Sequence, residues 1–521
     1  MSPAVQSAPR PSARRSALAR PELGPALPWV QRAPGAPYFV LDGGEAWTPV
    51  GANEAITWPG LAGLFRRRDL AGAEAYLAGL RAQGVTVLRL MLEYAQGEHR
   101  WFERPAGRFV PSMVQLWDDL IALCARAGLR VLLTPFDTFW HWRRWHRHPY
   151  NQRHGGPCDS RTRFLACRAT RELVVRRLAF ASERWGASGV LFGWDLWNEL
   201  HPAQAGGDHR AVETMHEFVH EVGDALRTLE QRVHGRAHPQ TASVFGPELR
   251  GRPDFRALVF RHPALDFAST HFYAERTIDH PRDTVAPAVA AGMLVEQALT
   301  EIADERPFLD SEHGPIHTFK DRRRTLSEAF DDEYHRHFQW AHLASGGAGG
   351  GMRWPNRSPH VLTPGMRAAQ GALARFLPLV DWPRFRRRTL SRALVLRDAA
   401  GGDALPLVVP GTPPGADGPP LVALRGTVAA AFACGDDAQA VAYLLRSDAL
   451  TADGRVRTDV APRPVTLEVP GLAPGAYRVT RWCPVRGVPL HEGRLEHAGG
   501  ALRVPDLPLL GDLALAVRRV G

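Results

Sequence analysis

At 521 residues the chain exceeds what one ordinary hydrophobic core supports, so two or three domains are expected. Apolar residues at 45% and charged residues at 23% exclude a disordered or fibrous chain. The formal charge of +10 rests on scattered arginines, with Lys320 the only lysine, and the clusters Arg322-Arg323-Arg324 and Arg386-Arg387-Arg388 are too short to make a nucleic-acid surface.

Residues 1–35 read as a disordered tail. Met1 to Pro28 is rich in Ser, Ala, Pro and Arg and lacks the apolar segment of roughly 7 to 15 residues that a secretion signal needs. No window reaches the roughly 18 to 20 apolar residues of a membrane span, so a cytoplasmic location without a membrane partner is expected. Cys124, Cys158, Cys167, Cys434 and Cys483 are odd in number and widely spaced, which implies neither a disulfide framework nor a zinc site.

From Tyr38 the text becomes regular. Tyr38 to Glu45 reads as a strand and tight turn, and Trp47 to Asn53 as the first core strand. A helix from Asp69 to Gln83 ends at Gly84 and feeds Val85 to Leu92; another from Val114 to Ala127 ends at Gly128 and feeds Leu129 to Thr134. Helix, glycine, apolar strand is the pattern of βα repeats. It recurs through helices Arg161 to Trp185, Arg210 to Val233, Thr284 to Asp304 and Thr325 to Ser345. The strands are Gly189 to Glu199, Thr241 to Phe245, Leu265 to His271, Pro307 to Glu312 and Gly347 to Trp354, and a helix from Pro364 to Phe376 follows. Counted from Trp47, eight such units predict an α/β fold, a (β/α)₈ TIM barrel over residues 36–382. Beyond Pro383 short alternating runs between Pro/Gly turns predict a C-terminal β-sandwich over 383–521, with Pro410 to Pro420 as a loop.

The C-terminal ends of barrel strands are where such folds place their chemistry, and those ends can be read directly. Arg89 and Glu93 end the second strand; Asp137, Trp140 and Trp142 follow the third; Asn198 and Glu199 end the fourth. His271 and Tyr273 end the sixth strand, Glu312 the seventh and Trp354 the eighth. Two carboxylates on nearly opposed strands, Glu199 and Glu312, suit glycosidic bond cleavage: one protonates the leaving oxygen, the other attacks or activates water. Asp310 shares its strand face with Glu312 and is a competing carboxylate.

Trp194-Asp195-Leu196-Trp197-Asn198-Glu199 resembles the Asn-Glu acid/base motif of the clan A glycoside hydrolases, and the overall match is most like glycoside hydrolase family 5, the cellulase and mannanase family. Arg89, Asn198, Glu199, His271-Phe272-Tyr273, Glu312 and Trp354 fall in the family's order, between Tyr38 and Phe376. The resemblance implies a retaining enzyme without cofactor or metal, with Glu312 as nucleophile and Glu199 as acid and then base. It also implies that Arg89 and Tyr273 bond Glu312, Asn198 grips the sugar 2-hydroxyl, His271 orients the acid and Trp354 floors a sugar subsite. The expected partner is a β-linked, mannan- or glucan-like carbohydrate. Thr134-Pro135-Phe136-Asp137 departs from the histidine many cellulase-like members carry there and suits a mannanase-like member better.

Phe139-Trp140-His141-Trp142-Arg143-Arg144-Trp145-His146-Arg147-His148 is richer than an ordinary loop. Its spacing is not that of zinc ligands, so its aromatics are expected to wall a subsite and its arginines to meet hydroxyls or an acidic sugar. Glu93 and Glu275 are either substrate contacts or ion-pair partners. The alternative functions are a metal-dependent barrel hydrolase and a carbohydrate-binding barrel without turnover.

Overall fold

In a computed structural model, which describes residues 20–207, 209–302, 304–316, 325–400, 402–411 and 422–520, the apolar runs become eight parallel strands. They are β1 (Gly51–Glu54), β2 (Val87–Met91), β3 (Arg130–Thr134), β4 (Leu191–Asp195), β5 in two pieces (Gln240–Thr241 and Val244–Phe245), β6 (Ala268–Phe272), β7 (Phe308–His313) and β8 (Met352–Arg353). Every neighbouring pair is parallel, and β8 pairs with β1, so the sheet closes into a barrel. Helices Leu70–Ala82, Pro111–Ala127, Arg168–Trp185, Ala211–His234, Ala286–Glu301, Glu328–Ala344 and Pro364–Phe376 cover it. Local signals set their ends: Asp69 caps the first by accepting from the Gly72 N–H at 2.9 Å, and Gly128 ends the second at φ +70°.

Two departures from the expected strands sit at the mouth. β4 stops at Asp195 rather than running to Glu199; beyond it Leu196 N donates to Thr241 O at 2.8 Å and Asn198 N to Phe136 O at 2.9 Å, so a bent segment is sewn to both neighbours. β5 breaks because Ser243 leaves the ladder to serve Asp195, its N–H donating to Oδ1 at 3.0 Å and its hydroxyl to Oδ2 at 2.9 Å.

The opposite end is plugged by a small sheet of Val30–Arg32, Phe39–Leu41 and Ala46–Trp47. Phe39 meets Phe192 and Phe267 edge-on with ring centres 5.0 and 5.6 Å away. This corrects the tail expected over 1–35: Val30 and Ala33 are buried, because their apolar side chains close the barrel floor. Residues 1–19 lie outside the described residues, as do most of the Pro410 to Pro420 loop and Arg322-Arg323-Arg324.

The C-terminal strands form two sheets. One runs Arg388–Thr389, Ala429–Gly435, Gln439–Arg446, Asp512–Arg519, Gly475–Cys483, Val488–His497, and Leu407–Val408 pairs beside it; the other is Val395–Asp398, Arg463–Val469, Leu502–Leu509. Ala429, Ala431 and Ala433 join Leu396, Leu467 and Val504 in the core between the sheets. Ala430, Phe432 and Cys434 face the other way and pack with Trp340 and Phe376 of the barrel helices. A strand buried on both faces reads as a continuous apolar run, and this one, mostly alanine, carried too little β-propensity to stand out in the sequence. The sandwich therefore packs its larger sheet on the barrel; Arg336 reaches Asp512 across the seam at 2.9 Å. All five cysteines are free, and among the described residues no helix is long and apolar enough to cross a membrane.

Candidate active site

The bent segment after β4 gives Glu199 a left-handed backbone, φ +54°. A non-glycine residue there costs of order 1–3 kcal/mol and persists only where neighbours hold it. Here Glu199 N donates to Ser243 Oγ at 3.3 Å, and Thr138 Oγ1 donates to Glu199 O at 2.6 Å. Glu312 comes from β7, whose pairing with β6 shifts register there: Thr270 pairs with Asp310 and His271 with Glu312, so Ser311 is passed over and His271 stands opposite Glu312. The result is convergence: one side-chain ligand atom each of Glu199, His271 and Glu312 lie within 4.8 Å of one another. His271 Nδ1 stands 2.8 Å from Glu199 Oε1 and 3.7 Å from Glu312 Oε2.

Arg89 organises the floor beneath the pair. Its Nη1 donates to Asn53 Oδ1 at 2.8 Å and to Glu312 Oε2 at 3.0 Å, and its Nη2 donates to Asp195 Oδ2 at 2.7 Å and to Asn198 Oδ1. Tyr273 donates its hydroxyl to Glu312 Oε1 at 2.7 Å, so both oxygens of Glu312 are held. One buried guanidinium faces three carboxyl groups, Asp195, Glu199 and Glu312, which favours a proton on one of them. Burial lifts Glu199 from 4.5 to about 7, with Arg89 and His201 opposing and Asp195 and Glu248 adding to the rise. Burial also lifts Glu312, opposed by His271, Arg89 and the Tyr273 bond. Because Glu312 has two strong donors and Glu199 only the imidazole, the proton belongs on Glu199. Burial pushes His271 down, so its ring is neutral near pH 7 and bonds Glu199 through Nδ1 without adding charge.

Above this floor opens a cleft of about 960 Å³ lined by Asp137, Trp140, Asn198, Glu199, Tyr273, Glu312 and Trp354 among others. Arg89 and His271 lie beneath its surface, 1% and 0% exposed, and reach a ligand only through the groups they hold. Trp354 sits in an aromatic wall with Trp58 and Tyr94, ring centres 4.9 and 5.9 Å away, and Trp140 packs edge-on against Tyr94 at 5.4 Å. Trp142 does not line the cleft. On the seven-residue helix Thr138–Arg144, two positions after Trp140 is the far side, and there Trp142 packs under the Arg161 guanidinium at 3.6 Å. Asp137 caps that helix, accepting from Phe139 N at 2.6 Å, and burial with Glu199 and Glu93 nearby lifts it to about 8.

Other polar residues settle as framework. Glu93 is buried against Arg177 at 2.8 Å and His148 at 3.3 Å, and although burial opposes it, those two partners bring its carboxyl down to about 2. Glu275 is exposed and lines no part of the cleft. Asp310 is fully buried, 2.6 Å from His313 Nδ1, and accepts from the Phe272 and Glu312 N–H groups instead of facing the cleft. Among the described residues the only convergent His/Cys/Asp/Glu trio is Glu199, His271 and Glu312 itself. A cation there would meet the Arg89 guanidinium 3.0 Å from Glu312, so the donor set does not suit a metal. Asn53, Asp195, Ser243, Trp58 and Tyr94 were not singled out from the sequence. Asn53 carried a signal, a carboxamide closing an apolar strand.

No protein-family model matches the sequence, and no curated protein matches it. Among solved structures, one described as a glycoside hydrolase is 13% identical, covers 95% of this chain and 98% of its own, and superposes with a TM-score of 0.58. A glycoside hydrolase family 5 structure from Bacteroides vulgatus ATCC 8482 is 12% identical, covers 95% of each chain and has a TM-score of 0.56. The likeness spans barrel and sandwich alike. The chain therefore has the fold of solved glycoside hydrolase family 5 structures, the family its motifs resemble.

Proposed function

We propose that the protein is a retaining β-glycoside hydrolase acting on a β-linked, mannan- or glucan-like oligo- or polysaccharide. The observation that carries this reading is the approach of Glu199 and Glu312, which bring carboxylate oxygens within 4.8 Å of each other. Retaining pairs stand about 5 to 5.5 Å apart, and inverting pairs leave about 6.5 to 9.5 Å for a water.

In the first step the Glu312 carboxylate attacks the anomeric carbon while Glu199, protonated near neutrality, gives its proton to the leaving oxygen. In the second, Glu199 takes a proton from water, which attacks the same carbon and releases Glu312. Arg89 and Tyr273 hold Glu312 in the attacking orientation. Arg89 occupies Asn198 Oδ1, which leaves the amide N–H donors of Asn198 for the sugar 2-hydroxyl. Trp354 and Trp140 supply apolar faces for sugar rings. The two protonation states are set by environment, the pattern by which paired carboxylates divide acid and nucleophile roles.

The test is a panel of activated aryl β-glycosides and short β-linked oligosaccharides, followed by NMR of the first-formed anomer. Release of the β-anomer, undiminished by EDTA, is the expected result. Release of the α-anomer would overturn the retaining assignment. Chelator-sensitive turnover favours the metal-dependent reading, and binding without release of product favours the non-catalytic one.

A further inference from the structure

Arg143 and Arg144 differ from the other basic groups around the cleft. Arg357 is tied to the buried Asp331, and His201 stands 3.6 Å from Glu248, so each has an acidic partner within the protein. Arg143 and Arg144 line the same cleft and make no ion pair among the described residues. Each guanidinium is instead placed over an aromatic face, Arg143 over Phe139 at 4.9 Å and Arg144 over Trp140 at 5.8 Å. A guanidinium resting over a ring satisfies none of its N–H donors there, so those donors are left for a planar oxyanion, which a guanidinium can meet in two parallel hydrogen bonds. Glu98, on the turn Tyr94–Glu98 packed against this helix, also lines the cleft and pairs with neither arginine.

The helix that carries them also fixes their distance from the chemistry. It begins at Asp137, whose backbone bridges to Asn198 beside Glu199. At 1.5 Å per residue, Arg144 lies about 10 Å along the helix from Asp137, a span of about one or two sugar rings.

We infer that this edge of the cleft is an anion subsite, and that the substrate is a β-linked oligosaccharide carrying a carboxylate, as on a uronic acid, one or two rings from the cleaved linkage. The inference deepens the hydrolase reading and rests on it for the position of that linkage. The carboxylate occupies the edge donors of Arg143 and Arg144 while its ring stacks against Trp140. Neutral chains bind by the aromatic wall alone.

The test compares a β-linked tetrasaccharide containing one hexuronic acid with its methyl ester, which keeps the shape and removes the charge. Binding is measured by calorimetry on the full chain carrying Glu199→Gln, so that it reads the subsite whether or not turnover occurs. The free acid is expected to bind about tenfold more tightly than the ester. Salt should narrow that ratio, and the added double substitution Arg143→Gln/Arg144→Gln should bring it near one. Equal affinity for acid and ester, or a ratio that survives the double substitution, overturns the inference. Thermal melts of the double variant, expected to match the parent because both side chains lie at the cleft surface, separate loss of the subsite from loss of the fold. Anion-dependent binding without cleavage of any glycoside by the wild-type chain would instead sink the hydrolase reading and leave the subsite standing.

Discussion

At the barrel mouth, Arg89, Asp195, His271 and Glu312 are buried as charged or titratable groups held by hydrogen bonds of 2.7 to 3.2 Å. At the seam with the sandwich, aromatic packing surrounds a buried ion-pair network, Arg336 with Asp512 at 2.9 Å: Trp340 packs on Phe376 and Tyr443 at 4.9 and 5.9 Å, and Phe376 on Trp482 at 5.8 Å. The two kinds of burial do different things. A fully buried large apolar side chain contributes about 1.5–3 kcal/mol, whereas buried ion pairs often return no more than the desolvation they cost. The seam and the plugged floor therefore hold the barrel together, and the mouth keeps charges whose solvation the fold has replaced with fixed donors.

Substitutions can separate those roles. The largest expected effect is on turnover: Glu312→Gln and Glu199→Gln should each lower kcat by about a thousandfold on a poor leaving group, with a melting temperature close to that of the parent. Near-normal turnover in either variant would remove the mouth from the chemistry. At the seam the pattern inverts. Trp340→Ala should cost about 3–5 kcal/mol of stability in denaturant unfolding, with kcat per folded molecule unchanged. A parallel fall in kcat would show that seam and mouth are mechanically coupled.

The proton on Glu199 gives a pH test. The rate of the acid-dependent step should fall as pH rises through about 7, where Glu199 loses its proton. Its folded pKa stands above its ordinary value of 4.5, so its favourable contribution to stability is full below pH 4.5 and is lost as pH rises toward 7. Glu199→Gln should remove that loss, making the variant more stable relative to the parent at pH 8 than at pH 4. A stability difference independent of pH would contradict the raised value. The smallest effect concerns the aromatic wall: Trp140→Ala should raise KM by roughly 3- to 10-fold, and Trp142→Ala should leave it within about twofold. Equal effects would mean that Trp142 reaches the substrate after all.

The residue pattern alone determined the repeating helix-glycine-strand order, the barrel it implies and the later change to short β-strands, because periodicity and caps are local properties of the chain. It also marked the polar residues that end apolar strands, which is why Arg89, Asn198, Glu199, His271, Tyr273, Glu312 and Trp354 could be named together. Tertiary structure alone decided that Arg89 and His271 lie under the cleft and that Trp142 turns away onto Arg161. It decided that Glu93 is an ion-pair partner, that residues from Trp29 onward belong to the barrel floor and that an alanine-rich strand joins two cores. Those outcomes depend on burial by segments distant in sequence, and burial sets both the direction a side chain faces and the proton it keeps. Strand-end position says where a group can act; the neighbours that exclude water from it say in which charge state.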